Sequence, residues 1–199
     1  MTVTEHIHDN DGPEPVEETV MRLLRGRTIV MVGMMGAGKS SVGRKLALRL
    51  GLPFVDADVQ IEEAAGMSIP DIFETRGEAE FRSGEARVIA RLLDGGPQVL
   101  ATGGGAFMNP DTRALIRDKG ISVWLKADFE VLMKRIRRRS DRPMLKTADP
   151  AATLQRLIEI RYPVYAEACV IVESREVLHE VIVEEILDAL RPVLGAVKP

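Results

Sequence analysis

The sequence predicts a three-layer α/β/α domain with a mainly parallel sheet between two layers of helices. Three observations carry this. Short apolar, β-branched runs alternate with helical patterns along the chain. The glycine-rich segment Gly33–Ser40 joins one such run to one such pattern, and 199 residues fit one domain of ordinary size.

Residues 1–15 are polar, with Gly12, Pro13 and Pro15, and read as a mobile tail. Val16 to Arg25 places Val20, Leu23 and Leu24 on one face of a short helix. Residues 1–26 are therefore expected as an N-terminal extension, ahead of a domain over 27–192 and a C-terminal tail over 193–199. Thr28 to Val32 is an apolar strand ending at Gly33, and Lys39 to Leu50 is a helix stopped by Gly51. Pro53 to Asp56 makes a short strand and Val59 to Ala65 a helix stopped by Gly66. Ser68, with Asp71 three residues on, caps the next helix, and Glu78 to Leu93 is a longer one. Val99 to Ala101 is a buried strand leading into Gly103–Gly105. Pro110 to Asp118 is helical, Ile121 to Leu125 a strand and Asp128 to Arg137 a helix. Residues 138–152 are polar and basic, interrupted by Pro143 and Pro150, and have the length of a lid. A helix from Thr153 to Ala168, a strand from Cys169 to Val172 and a helix from Glu176 to Leu190 complete the pattern.

Composition removes several functions. With 27 basic and 30 acidic side chains and a net charge of −3, the chain is not expected to be a dedicated binder of nucleic acid or of membranes. Its cations are mostly arginine, which suits forked recognition of anions. Cys169 is the single cysteine, so neither an intrachain disulfide nor a thiolate zinc cluster can form. His6, His8 and His179 follow no metal-ligand spacing. The most apolar run, Ile29 to Gly38, is too short to span a bilayer, and the acidic N-terminus lacks the basic start of a signal peptide. A cytoplasmic protein is expected.

Gly33-Met-Met-Gly-Ala-Gly-Lys-Ser40 matches the phosphate-loop pattern G-x-x-x-x-G-K-[ST], in the strand-to-helix context that pattern needs. Glycines let backbone N–H groups converge on phosphate oxygens, and the following helix adds its positive end. Lys39 can reach the β- and γ-phosphates of ATP, and the Ser40 hydroxyl can ligate Mg²⁺. Met34 and Met35 are expected as filler. A dinucleotide site is disfavoured because Ser41 stands where G-x-G-x-x-G wants its last glycine. No G-x-S-x-G occurs either.

Asp56-Ala-Asp58 follows the second strand, where residues two apart on an extended segment face one way. Phosphoryl transfer to an alcohol needs one carboxylate for hydrated Mg²⁺ and another for the acceptor proton. Helix capping is the plain alternative for either aspartate. Arg82, Arg142 and Arg161 would by default be solvated, yet Ser122 to Tyr162 carries ten Lys/Arg against five Asp/Glu. No aromatic residue interleaves Lys134 to Arg142, so a phosphate-closing lid fits that excess better than a nucleic-acid patch. Gly103, Gly104 and Gly105 let the backbone approach a ligand closely, with a tight turn as the alternative.

Taken in order, these motifs resemble shikimate kinase, a small P-loop kinase of the nucleoside-monophosphate-kinase type. The resemblance runs from about Arg27 to Leu190, through Phe54-Val-Asp-Ala-Asp58, Ser68-Ile-Pro-Asp-Ile-Phe73, Gly77-Glu-Ala-Glu-Phe-Arg82, Thr102-Gly-Gly-Gly-Ala106, Arg142-Pro-Met-Leu145 and Arg161-Tyr-Pro-Val-Tyr165. It implies five parallel strands in the order 2-3-1-4-5 and ATP-dependent phosphorylation of the shikimate 3-hydroxyl. Gly36, Ala37, Gly38, Lys39, Ser40 and Ser41 would hold the nucleotide, with Arg135 packed on adenine and Arg142 reaching the transferring phosphate. Asp58 would contact the substrate hydroxyls as base, with Lys39 and Arg142 completing the catalytic set. Arg82 and Arg161 would bind the carboxylate, Gly103 to Gly105 would line that pocket, and Asp56 with Ser40 would serve Mg²⁺. A monomer without nucleic-acid or membrane partners is implied. The segment Glu173-Ser-Arg-Glu176 departs from the pattern in lacking a proline. A gluconate kinase, a non-catalytic sensing module and a nucleic-acid-binding ATPase are the competing classes.

Overall fold

The computed structural model describes residues 14–138 and 149–196. Arg142 and most of the expected lid lie outside them.

Strand β1 (Thr28–Val32) has all five side chains buried, as its unbroken apolar run requires of a central parallel strand. It pairs in parallel with β3 (Val99–Ala101) and β4 (Gly120–Lys126). Strand β2 (Phe54–Asp56) lies outside β3 and β5 (Val170–Glu173) outside β4, giving the order 2-3-1-4-5 that the resemblance implies. The register sets Ala101 beside both Met31 and Asp56. The loops after β1, β2 and β3 therefore leave one edge together, where ligands bind in such sheets.

Helix α1 (Val16–Leu24) is part of the body rather than an appendage. Val20 and Leu24 are buried in the main core against α8 (His179–Ala196). Arg49, on α2 (Lys39–Leu50), pairs with Glu17 of α1 and Glu184 of α8. Helix α3 (Ala57–Ala65) ends at Gly66, and Ser68 caps α4 (Ile69–Leu93) by accepting from the Asp71 N–H. Gly77, at φ 80° and ψ 169°, breaks α4 one residue before the expected helix start. Ile61, Ile72, Phe81 and Val88 form a separate small core between α3 and α4.

Past β3, a single 3₁₀ turn (Ala106–Met108) leads to α5 (Pro110–Lys119), capped by Asn109. Helix α6 (Phe129–Arg137) follows β4. Helix α7 (Pro150–Tyr165) starts before Thr153, because Pro150 suits the first turn and Asp149 caps it. Helix α8 starts three residues later than expected and passes through Pro192 to Ala196. Burial of Leu194 offsets the hydrogen bond Pro192 forgoes. Among the described residues, no helix is long and apolar enough to cross a membrane.

Candidate active site

The phosphate loop leaves β1 at Gly33, whose φ of 138° favours glycine. A Cβ there would stand 2.7 Å from the Leu125 carbonyl oxygen, so the close approach of β4 also demands it. Gly38, at φ 94°, opens α2 without a side-chain cap, leaving the helix's positive end to an anion. The Lys39 ammonium donates to the carbonyls of Gly33 and Met34, each at 2.9 Å. Ser40 donates its hydroxyl to Asp56 Oδ2 at 2.7 Å, while Asp56 Oδ1 accepts the Asp58 N–H at 3.1 Å. Asp56 thus caps α3 and engages Ser40 at once. Asp58 lies in the first turn of α3 and not on the strand, so it reaches the cleft from a helix start.

Two adjoining cavities, of about 400 and 380 Å³, share Met35, Ser40, Asp56, Asp58, Gly103 and Gly104. Gly36, Ala37, Gly38, Lys39 and Ser41 line the first, whose far side carries Arg135, Ser174 and His179. Arg135 donates to Ser174 Oγ at 2.8 Å, to the Arg175 carbonyl at 2.8 Å and to the Gly36 carbonyl at 3.3 Å. Its guanidinium therefore ties the phosphate loop to the turn after β5. Ser174 in turn donates to the Ala37 carbonyl at 2.7 Å.

The second cavity holds Arg82, Arg161 and Gly105 over Phe73 and Phe81. Arg82 donates to Glu85 Oε2 at 2.7 Å and to Glu78 Oε1 at 3.3 Å. The two acidic partners differ in setting, since the Glu85 side chain is 3% exposed and that of Glu78 58%. Burial pushes the Glu85 carboxyl above its ordinary value; Arg82 pulls it back down, Asp58 adds to the rise and Arg161 opposes it. Among the described residues Glu85 Oε1 has no hydrogen-bond partner, and a Cβ on Gly103 would stand 2.7 Å from it. Arg161 is 6% exposed, which overturns the default of a solvated arginine.

Every site residue expected from the sequence and described here converges on these cavities; Arg142 lies outside the described residues. Met34 is 1% exposed, which fits the expectation of filler, and its sulfur lies 4.0 Å from Arg161 Nη1. Glu85 and Ser174 also line the cavities, and the sequence reading does not single them out. For Glu85 a signal existed: it sits three residues after Arg82 among Phe81, Val88 and Ile89, on the buried side of an amphipathic helix.

Oxygen donors for a hard cation are present at Ser40 and Asp56. Among the described residues no three His, Cys, Asp or Glu side chains are grouped to hold a metal. That donor set fits Mg²⁺, which is usually held by one or two protein oxygens together with substrate phosphates.

A parallel sheet in this order, a phosphate loop and an adjoining cationic cavity with a carboxylate at the junction define a P-loop phosphotransferase. The family model described as shikimate kinase matches residues 35–191. A shikimate kinase of Rhodopseudomonas palustris is 60% identical over 94% of this chain and 93% of its own. One of Bradyrhizobium diazoefficiens is 61% identical over 88% of this chain and 84% of its own. The solved structure of the Acinetobacter baumannii shikimate kinase in complex with shikimate superposes with a TM-score of 0.83 at 36% identity, covering 90% of this chain and 99% of that one. The chain belongs to the shikimate kinase family.

Proposed function

We propose that this protein transfers the γ-phosphoryl group of ATP to the 3-hydroxyl of shikimate, giving shikimate 3-phosphate and ADP, a step of chorismate and aromatic amino-acid biosynthesis. The observation that carries this is the meeting of two cavities at Asp58, one built on the phosphate loop and the other on Arg82 and Arg161. Similar kinases act on shikimate, and one was solved with it bound. A carboxylate-bearing polyol needs arginines for its anion and an aspartate for its alcohol. A neutral sugar would leave the buried Arg161 facing no anion, while Arg82 would keep Glu78 and Glu85.

Shikimate places its carboxylate between Arg82 and Arg161, with Gly103 to Gly105 against its ring. Asp58 accepts the proton of the 3-hydroxyl as the oxygen bonds to the γ-phosphorus and the bond to the ADP oxygen breaks. Lys39 exchanges the carbonyls of Gly33 and Met34 for the β- and γ-phosphates. Arg135 packs on the adenine side, and Arg142 is the arginine assigned to the transferring group. Ser40 and Asp56 would hold Mg²⁺, which would neutralise charge on the phosphates. The enzyme works as a cytoplasmic monomer.

The test is ADP production with MgATP and shikimate, against gluconate, AMP and no-acceptor controls. Turnover should depend on shikimate and disappear in Lys39→Ala. Asp58→Asn should bind ATP normally while kcat falls by about 10²-fold or more. Turnover on gluconate would overturn the Arg82/Arg161 pocket, and ATP binding without turnover on any acceptor would replace the kinase with a sensing module.

A further inference from the structure

We infer that Tyr165 is a positioning residue whose hydroxyl, by donating to the Gly104 carbonyl, fixes the glycine loop and Arg161 against the phosphate loop. The inference rests on the reading that Arg161 binds the acceptor's carboxylate.

Tyr165 follows Arg161 by four residues on α7, so the two side chains leave the same helix face one turn apart. Tyr165 is fully buried, and its hydroxyl donates to the Gly104 carbonyl. The same hydroxyl oxygen lies 3.8 Å from Met34 Sδ, the sulfur that Arg161 Nη1 also approaches. Met34 belongs to the phosphate loop, so one sulfur touches the tyrosine, the arginine and the loop that cradles phosphate.

Gly104 is the wedge in this arrangement. A Cβ built on it would stand 3.1 Å from Arg161 Nη1, 3.5 Å from the Gly33 carbonyl oxygen and 3.6 Å from the Met35 nitrogen. Any shift of Gly104 therefore changes the surface on which Arg161 rests and the spacing between the two cavities. The Tyr165 ring is held independently of its hydroxyl, with Trp124 at 5.7 Å and Phe107 at 6.4 Å between centroids. Packing alone would be satisfied by phenylalanine. The hydroxyl remains to be explained, and its bond to Gly104 explains it. Burial pushes the phenol up to about 12, although Arg161 acts in the opposite sense, so it stays a donor at working pH.

Tyr165→Phe keeps the ring and removes the donor. With Arg161 displaced from the acceptor's carboxylate, KM for shikimate should rise about tenfold, with kcat changed by less than about threefold, because that contact exists before the transition state. Calorimetric titration should show shikimate affinity lowered to match and ATP affinity unchanged. In an Arg161→Lys background, adding Tyr165→Phe should cost less than twofold more, since both changes break one linkage. A merely structural tyrosine predicts a lower Tm with unchanged KM, and that result overturns the inference, as does full additivity with Arg161→Lys. Should Tyr165→Phe fold poorly, Gly104→Ala, whose Cβ would stand 3.1 Å from Arg161 Nη1, must raise KM in the same direction; an unchanged KM also overturns it. If the wild-type protein turns over a different hydroxy acid, the proposed acceptor fails. The same comparison with that acid then still decides the role of Tyr165.

Discussion

Gly105→Ala isolates one contact. Gly105 has φ −93° and ψ −17°, ordinary right-handed backbone that alanine adopts without strain. The added Cβ would lie 2.5 Å from Arg82 Cζ and 2.6 Å from Nη2, and closer still to Nη1. Ordinary van der Waals separation is about 3.5 Å, so the guanidinium must retreat by roughly 1 Å. That retreat breaks the 2.7 Å bond to Glu85 and withdraws Arg82 from the acceptor cavity. A charge-assisted bond is worth about 1.5–3 kcal/mol, and the partial exposure of Arg82 favours the lower part of that range. A loss of about 1–2 kcal/mol corresponds to roughly 5–30-fold in kcat/KM for the acceptor. The assay is steady-state ADP release at varied shikimate, with ATP affinity measured separately. KM should carry the loss and ATP affinity should stay within twofold. An unchanged KM would refute the reasoning: Arg82 would be displaced without loss to the acceptor, and so would not be a carboxylate ligand. Gly195→Ala, where no described residue comes within 4 Å of the new Cβ, is the control, expected to leave kinetics unchanged and to stabilise α8 by up to about 1 kcal/mol.

Two further predictions use the same geometry. In Gly33→Ala the new Cβ would meet the Leu125 carbonyl oxygen at 2.7 Å, a backbone atom of β4 that cannot swing away. Strain of about 1–3 kcal/mol should lower Tm by roughly 2–12 °C, with nucleotide affinity falling alongside; an unchanged melting curve would sink this. Glu85→Gln should separate stability from function. Burial raises the Glu85 carboxyl, so the folded protein holds that proton more tightly than the unfolded chain. The resulting stabilisation is complete below the unfolded carboxylate value and fades as pH rises through the folded one. The variant lacks this fading contribution, so its Tm relative to wild type should improve between pH 4 and pH 7, while KM for shikimate rises severalfold. A relative Tm that worsens over that interval refutes the assignment.

What the sequence disclosed divides along physical lines. Phosphate is recognised by the backbone of eight contiguous residues and by the start of one helix, so Gly33–Ser40 announced its chemistry locally. Strand identities were local too, because a parallel central strand must be apolar throughout. Strand order was different: it came from the family resemblance, since no local property of β2 places it beyond β3. Helix α1 showed its apolar face, but its partner α8 lies some 160 residues away, so it read as an appendage.

The acceptor half of the site is made differently, and that accounts for what stayed hidden. The second cavity draws Asp58 from α3, Arg82 and Glu85 from α4, Gly103 to Gly105 from the loop after β3, and Arg161 from α7. Glu78, Arg82 and Glu85 look in sequence like an ordinary run of helical ion pairs at i,i+4 and i,i+3. Only tertiary packing makes one partner solvated and the other buried, and so turns one of two similar glutamates into the buried partner of Arg82. Met34 is the same case: its sulfur meets a guanidinium 127 residues further on. A phosphate presents the same charge in every nucleotide and can be met by a contiguous backbone motif. An acceptor is distinguished by where its carboxylate sits relative to its reacting hydroxyl. That distance must be set by several elements at once, so on the proposed reading specificity would rest on contacts such as Arg82–Glu85 and Tyr165–Gly104 rather than on the phosphate-loop motif.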